Sequence, residues 1–210
     1  MRILKKLAVG AAMIAALVGG TPQSKAAEGS LEVMAGQVAT TIDLKVSGQI
    51  APKTGLFLRG ITTADYDGDV SHFGLADVSY NIVDGLDAVA EVQLASVMGV
   101  VPRVGAQYFG KFGDVSIYTL ATVKAMENPD GEFVVNLGYT PKLTEEVRLL
   151  TNLENLTSVG AEGHQFSTQK VRTGLTFQEK YQVGAGIDLT ELGPKGELTY
   201  SAGGFVGLKF

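Results

Sequence analysis

The amino-acid sequence predicts an all-β fold: a transmembrane antiparallel up-and-down β-barrel of about twelve strands. Three observations predict it. From residue 40 onward, apolar and polar side chains alternate in segments of about ten residues, the period and length of a tilted strand crossing a bilayer. Mean hydropathy is positive, yet no run of 18 or more apolar residues follows residue 26, so no membrane helix is available. The chain also ends on an aromatic. Tyr200, Ala202, Gly204, Val206, Leu208 and Phe210 fall on one side of the last segment, with Thr199, Ser201, Gly203, Gly207 and Lys209 among those on the other. A ring at the end of a lipid-facing ladder sits where aromatic side chains are favoured, at headgroup level.

The elements follow in order. Arg2, Lys5 and Lys6 precede an apolar or glycine stretch, Leu7 to Val18, too short to span a bilayer. Ser24-Lys25-Ala26 offers small residues at the two positions a signal peptidase reads, so residues 1–26 read as a signal peptide and 27–210 as the barrel. Residues 28–36 (EGSLEVMAG) have the weakest pattern, and an even strand count requires them as a strand. The alternative is ten strands with an N-terminal plug.

Residues 40–48 set Ile42, Leu44 and Val46 against Asp43, Lys45 and Ser47. Residues 55–63 are apolar on both faces apart from Arg59. In 72–83, Ala76, Val78, Tyr80 and Ile82 oppose Asp77, Ser79 and Asn81. Asp84-Gly85 is a tight hairpin turn, because glycine tolerates positive φ. In 86–95, Ala88, Ala90, Val92 and Leu94 oppose Asp87, Glu91 and Gln93. In 103–112, Val104, Ala106 and Tyr108 oppose Arg103, Gln107 and Lys111, and Gly113-Asp114 turns the chain. Residues 115–123 are ambiguous in face. In 132–140, Phe133, Val135, Leu137 and Tyr139 oppose Glu132, Asn136 and Thr140, and Pro141 ends the strand. Segments 145–154, 169–177 and 181–190 place Arg148, Asn152, Arg172 and Asp188 on their polar faces. The last strand is 197–210.

Connections near 84–85, 113–114, 140–144 and 178–180 read as short and those at 64–70, 96–101, 124–131, 155–167 and 191–196 as longer. Short turns belong on the periplasmic side. That phase puts Tyr80, Phe112, Tyr139, Phe177, Tyr181 and Phe210 at one interface, and Phe73, Phe133 and Tyr200 near the other, two aromatic girdles.

The C-terminal ladder closing on Phe210 resembles the last strand of Gram-negative outer-membrane β-barrels. The resemblance implies export through the periplasm to the outer membrane. It also implies contact with lipid and lipopolysaccharide, and recognition of Phe210 by the barrel-assembly machinery. A soluble barrel with its apolar face inward has the same period; the terminal ring, the girdles and the turn lengths favour the membrane.

Composition narrows the function. The chain has no cysteine, hence no disulfide or lipoprotein anchor. Removing residues 1–26 takes away four basic residues and moves the formal net charge from −5 to −9. An acidic chain without clustered cations is a poor nucleic-acid binder.

With apolar residues on the lipid, the predicted lumen is lined by Lys45, Arg59, Glu91, Arg103, Gln107, Lys111, Asn136, Arg148, Asn152, Arg172 and Asp188, joined by Asp43, Asp77, Asp87, Glu132, Glu146, Glu154 and Lys209. The signs nearly balance, which predicts weak ion selectivity or a lumen crossed by salt bridges. Gly105, Gly138, Gly174, Gly184, Gly186, Gly203 and Gly207 would leave room for water.

His72 lies close to Ser71, Asp67 and Asp69, and His164 close to Glu162, Ser158 and Ser167, but neither matches a known barrel-enzyme motif. No catalytic residue and no cofactor are assigned. Asp65-Tyr66-Asp67-Gly68-Asp69 lacks the downstream Glu of a calcium loop, so no metal is assigned. The expected function is a porin-like channel passing ions or small hydrophilic solutes by passive diffusion. The alternative is a non-conducting surface or structural barrel acting through its outer loops, chiefly 155–167.

Overall fold

The computed structural model describes residues 27–95, 99–193 and 195–210. The signal-peptide assignment lies outside them. Twelve strands follow one another: β1 (Glu28–Gly36), β2 (Ala39–Ala51), β3 (Thr54–Asp65), β4 (Val70–Val83), β5 (Leu86–Ala95), β6 (Gly99–Phe112), β7 (Val115–Lys124), β8 (Gly131–Tyr139), β9 (Val147–Gly160), β10 (Gly163–Phe177), β11 (Tyr181–Leu192) and β12 (Glu197–Lys209). Each pairs antiparallel with its sequence neighbour, and β1 pairs with β12, so the sheet closes and has no free edge.

Residues 28–36 are a full strand, which removes the ten-strand alternative. Their polar positions are those that face inward, and Glu32 finds a cation there. The seam runs from Ser30 opposite Lys209 to Gly36 opposite Gly203. Its end is clasped by two backbone bonds, Gly29 N–H to Phe210 O at 2.7 Å and Phe210 N–H to Gly29 O at 3.0 Å. The Phe210 ring lies over Gly29, in the space a side chain would fill. The closing aromatic therefore covers the seam between first and last strands.

The exterior is apolar. Val78, Val92, Val104, Leu137, Leu153, Val183 and Val206 are all exposed on it. Tyr80, Phe112, Tyr139, Phe177, Tyr181 and Phe210 ring the end that holds the termini, and Phe133 and Tyr200 are exposed toward the far end. An apolar exterior around charged inward faces is the surface of a membrane barrel, because lipid stabilises what water would not.

Four expectations are corrected. Residues 155–167 are not a loop: β9 and β10 run on through them and meet across 161–162, held by cross-strand pairs such as Thr157 with Ser167. Their polar side chains mimic a loop because both faces carry Asn, Thr, Ser or Gln. Nor do connection lengths separate the two ends, since the longest, 140–146, lies at the terminal end and contains Glu146, exposed and outside the lumen. Phe73 faces the interior rather than the girdle.

The interior glycines do not all hold space for water. The Arg172 side chain occupies the space beside Gly186, Gln182 that beside Gly207 and Ser116 that beside Gly138, while Gly184 is closed by the Thr173 carbonyl and the Phe205 ring together. At Gly105 and Gly203 a Cβ would meet the backbone carbonyls of Ala121 and Ala35, so these glycines permit close approach of neighbouring strands.

Candidate pore and its constriction

The inward positions of β2, β3, β9 and β10 carry Asp43, Lys45, Arg59, Glu154 and Lys170, and the barrel brings them together. Arg59 donates to Asp43 through Nε at 3.0 Å and Nη2 at 2.6 Å, a bidentate pair. Its Nη2 also lies 2.7 Å from Glu154 Oε1. Since β3 and β9 are on opposite sides of the ring, this ion pair crosses the lumen. Lys45 Nζ donates to Glu154 Oε2 at 3.2 Å, and Lys170 Nζ to Asp43 Oδ2 at 3.4 Å. Asn136 donates to Glu154 at 3.4 Å and accepts from Asn152 at 2.8 Å. The result is a charged pillar spanning the bore.

Two spaces flank the pillar and share Lys45, Asn136, Glu154 and Lys170 as walls. The larger, about 1150 Å³, is lined at the terminal rim by Glu28, Gln49 and Gly55 and at the far rim by Val38, Thr190 and Thr199. The smaller, about 260 Å³, is polar and faces the terminal end through Ser30, Thr140 and Lys209.

Two further ion clusters brace the wall. Arg172 donates to Glu32 at 2.8 Å and to Asp188 at 2.7 Å, and its guanidinium lies 5.9 Å from the centre of the Phe205 ring. Phe205 packs inside with Met34 and Leu150. Arg103, only 2% exposed, donates to Thr122 at 2.8 Å and Asp130 at 2.6 Å, and lies 3.3 Å from Glu132 and 3.9 Å from Glu91. Gln93 Nε2 bridges Glu91 and Glu132, 2.7 Å from each. Asp130 precedes β8 outside the strands. Burial pushes its carboxyl up, but hydrogen bonds from Arg103 and Lys124 outweigh this and hold it below the usual carboxylate range.

The predicted lining residues divide accordingly. Lys45, Arg59, Glu91, Gln107, Asn136 and Asp188 line the larger space, while Asn152 and Arg172 line the smaller. Arg103 points inward but is enclosed by its partners. Lys111 is exposed near the terminal rim, and Arg148 there pairs with Glu179 at 3.3 Å. Lys170, Glu32 and Tyr118 were not singled out by sequence. Lys170 shares the parity of Arg172 and is the register partner of Glu154, a signal that could have found it.

The interior is also less polar than the alternation implies. Phe57, Ile61, Phe73, Phe109, Leu120 and Phe166 line the larger space. Segments 55–63 and 115–123, apolar on both faces, supply several of them.

The remaining motifs lie elsewhere. Asp65 Oδ1 accepts from the backbone N–H groups of Gly68 and Asp69, both at 2.8 Å, so this carboxylate closes its own turn. His72 Nδ1 is 3.0 Å from Thr62 Oγ1. His164 lies 2.8 Å from Ser167 Oγ and 3.2 Å from the Gly193 carbonyl, and Ser167 also contacts Thr157 at 3.1 Å, on the strand face opposite Thr168.

The fold is that of bacterial outer-membrane porins. The chain is similar to the NanC porin, at 10% identity and a TM-score of 0.54, with 88% of this chain and 99% of that one covered. It is similar to the KdgM porin in complex with disordered oligogalacturonate, at 11% identity and a TM-score of 0.52, covering 87% and 98%. No protein-family model and no curated protein matches the chain. At these identities the likeness concerns the barrel and not what passes through it.

Proposed function

We propose that the chain is a porin-like channel of the outer membrane, passing ions and small solutes by passive diffusion without chemistry. The observation that carries the reading is the larger space, lined from one rim to the other past the charged pillar. A barrel of this size lies between the filled small barrels and the open large ones. Side chains therefore decide its bore, and here they leave one broad lane. The lane is lined by Lys45, Arg59, Glu91, Gln107, Asn136 and Asp188, so fixed charges of both signs face the permeating solute.

One observation favours a second reading. The Arg59–Glu154 pair crosses the lumen, and a pillar that never moves could close the bore and leave a purely structural barrel. Planar-bilayer recording on the refolded mature protein separates the two. Discrete, reproducible current steps are expected for the channel. A folded, heat-modifiable barrel that inserts and never conducts overturns it.

A further inference from the structure

The cations and carboxylates of the lumen are not equally satisfied. Arg59, Lys45 and Lys170 each bind a carboxylate at the pillar. One strand pair along, the balance reverses. Asp77 and Glu91 are direct cross-strand partners on β4 and β5, each 3% exposed. With Asp130 and Glu132 they make four carboxyl groups, carrying three negative charges when Asp77 and Glu91 share a proton, against the cations of Arg103 and Lys124. Arg103 lies nearer Asp130 and Glu132 than Glu91. Asp77 and Glu91 hydrogen-bond to one another by sharing a proton, so the pair keeps one negative charge, and Asp77 Oδ1 is buried with no partner. A buried acceptor left unmatched is costly and calls for a partner.

The surroundings are aromatic. Phe57 is the register partner of Asp77 on β3. Phe109 and Tyr118 are partners of one another on β6 and β7. All of these, with Asp77 and Glu91, line the larger space. Aromatic faces attract cations and exclude water, which strengthens a nearby carboxylate–ammonium contact. Inward phenylalanines give a solute with an apolar body a face to lie on.

We infer that the larger lane selects organic ammonium ions carrying an apolar body, held with the charge on Asp77 and Glu91 and the body against Phe57, Phe109 and Tyr118. The inference rests on the channel reading for how such a solute enters and leaves. It concerns chemistry opposite in sign to the polyanion bound in the KdgM complex.

The test uses phenethylammonium, tetramethylammonium and benzoate as probes of the refolded mature barrel. Saturation-transfer NMR reads binding, with protein-free micelles subtracted, and planar-bilayer currents are recorded on the same preparation. Phenethylammonium is expected to bind saturably, tetramethylammonium more weakly for lack of an apolar body, and benzoate not at all. Asp77→Asn and Glu91→Gln should each weaken phenethylammonium binding about tenfold, the scale of a lost hydrogen bond to a charged group. If either variant fails to fold, Phe57→Leu removes the aromatic face at similar volume and should weaken the same probe. Benzoate binding as well as phenethylammonium, or binding unchanged in every folded variant, overturns the inference. Current steps without selective binding would sink it and leave the channel standing. Selective binding without current steps would support the site and sink the channel.

Discussion

Replacing Glu154 with Gln removes one end of the pillar while keeping its shape. In the native barrel Glu154 meets Arg59 at 2.7 Å and Lys45 at 3.2 Å. Breaking a buried pair by neutralising one partner costs about 3–5 kcal/mol, mostly because the other charge is stranded. Here Arg59 keeps its bidentate hold on Asp43, and Lys45 keeps a weaker contact with Asp43 at 3.8 Å. The cost should therefore fall at the lower end, about 3 kcal/mol. The pillar's charge also changes. Three cations against two carboxylates become three against one, so anions should gain access relative to cations. Urea unfolding of the barrel in lipid, followed by the heat-modifiable gel shift, measures the first effect. Reversal potential in a salt gradient measures the second. Unfolding unchanged within error, together with an unchanged reversal potential, would refute the pillar as both a brace and a filter.

Cysteine at Gln107 or Asn136 should react with a small aqueous thiol reagent in the membrane-embedded barrel, whereas cysteine at Tyr108 or Leu137 should be protected by lipid; the opposite pattern would invert the faces. Phe210→Ala should slow closure of the β1–β12 seam and lower stability by about 1 kcal/mol, an aromatic contact's worth, measured as folding rate into liposomes. Gly184→Val would drive its Cβ into the neighbouring strand's Thr173 carbonyl as well as the Phe205 ring and is expected to cost about 3 kcal/mol or more by overpacking, read as the same gel shift in urea. Asp130, held low by Arg103 and Lys124, contributes stability above its unfolded pKa of about 4. That contribution is lost as pH falls through the lower folded value. Asp130→Asn should thus flatten the acid limb of the barrel's stability profile, and an unchanged limb would exclude the role.

Much of the barrel is legible in the sequence because strand period and length are local properties. Leu86–Ala95 and Tyr181–Leu192 could be placed from alternation and turn residues alone, Glu28–Gly36 followed only from the even strand count, and Asp84-Gly85 and Gly113-Asp114 turn with Gly85 and Gly113 at φ of 78° and 62°. Which residues meet across the bore is not local. Arg59 and Glu154 are far apart in sequence, and only closure of the ring sets β3 opposite β9. The hairpin through 155–167 was hidden for a different reason. Near the rim neither face has to be apolar, so the alternation that marks a strand disappears while the backbone ladder continues.

The apolar inner wall was the least legible feature, and it bears most on function. A rule that sends polar residues inward and apolar residues outward holds where water fills the lumen. It fails where the lumen itself is partly dry. Phe57 and Phe109 share the parity of Arg59 and Gln107 and so sit inward with them, while Leu120 lies in a segment whose two faces look alike. Two segments that look unassignable, 55–63 and 115–123, lie within strands with apolar side chains on both faces. They supply Phe57, Ile61, Tyr118 and Leu120 to the lane's apolar lining, alongside Arg59 of the pillar. Such a lane offers ions its charged side and would give a solute with its own apolar surface a face to lie on. If the proposed ammonium selectivity holds, it is the unmatched Asp77 oxygen that sets the sign of the charge such a solute carries.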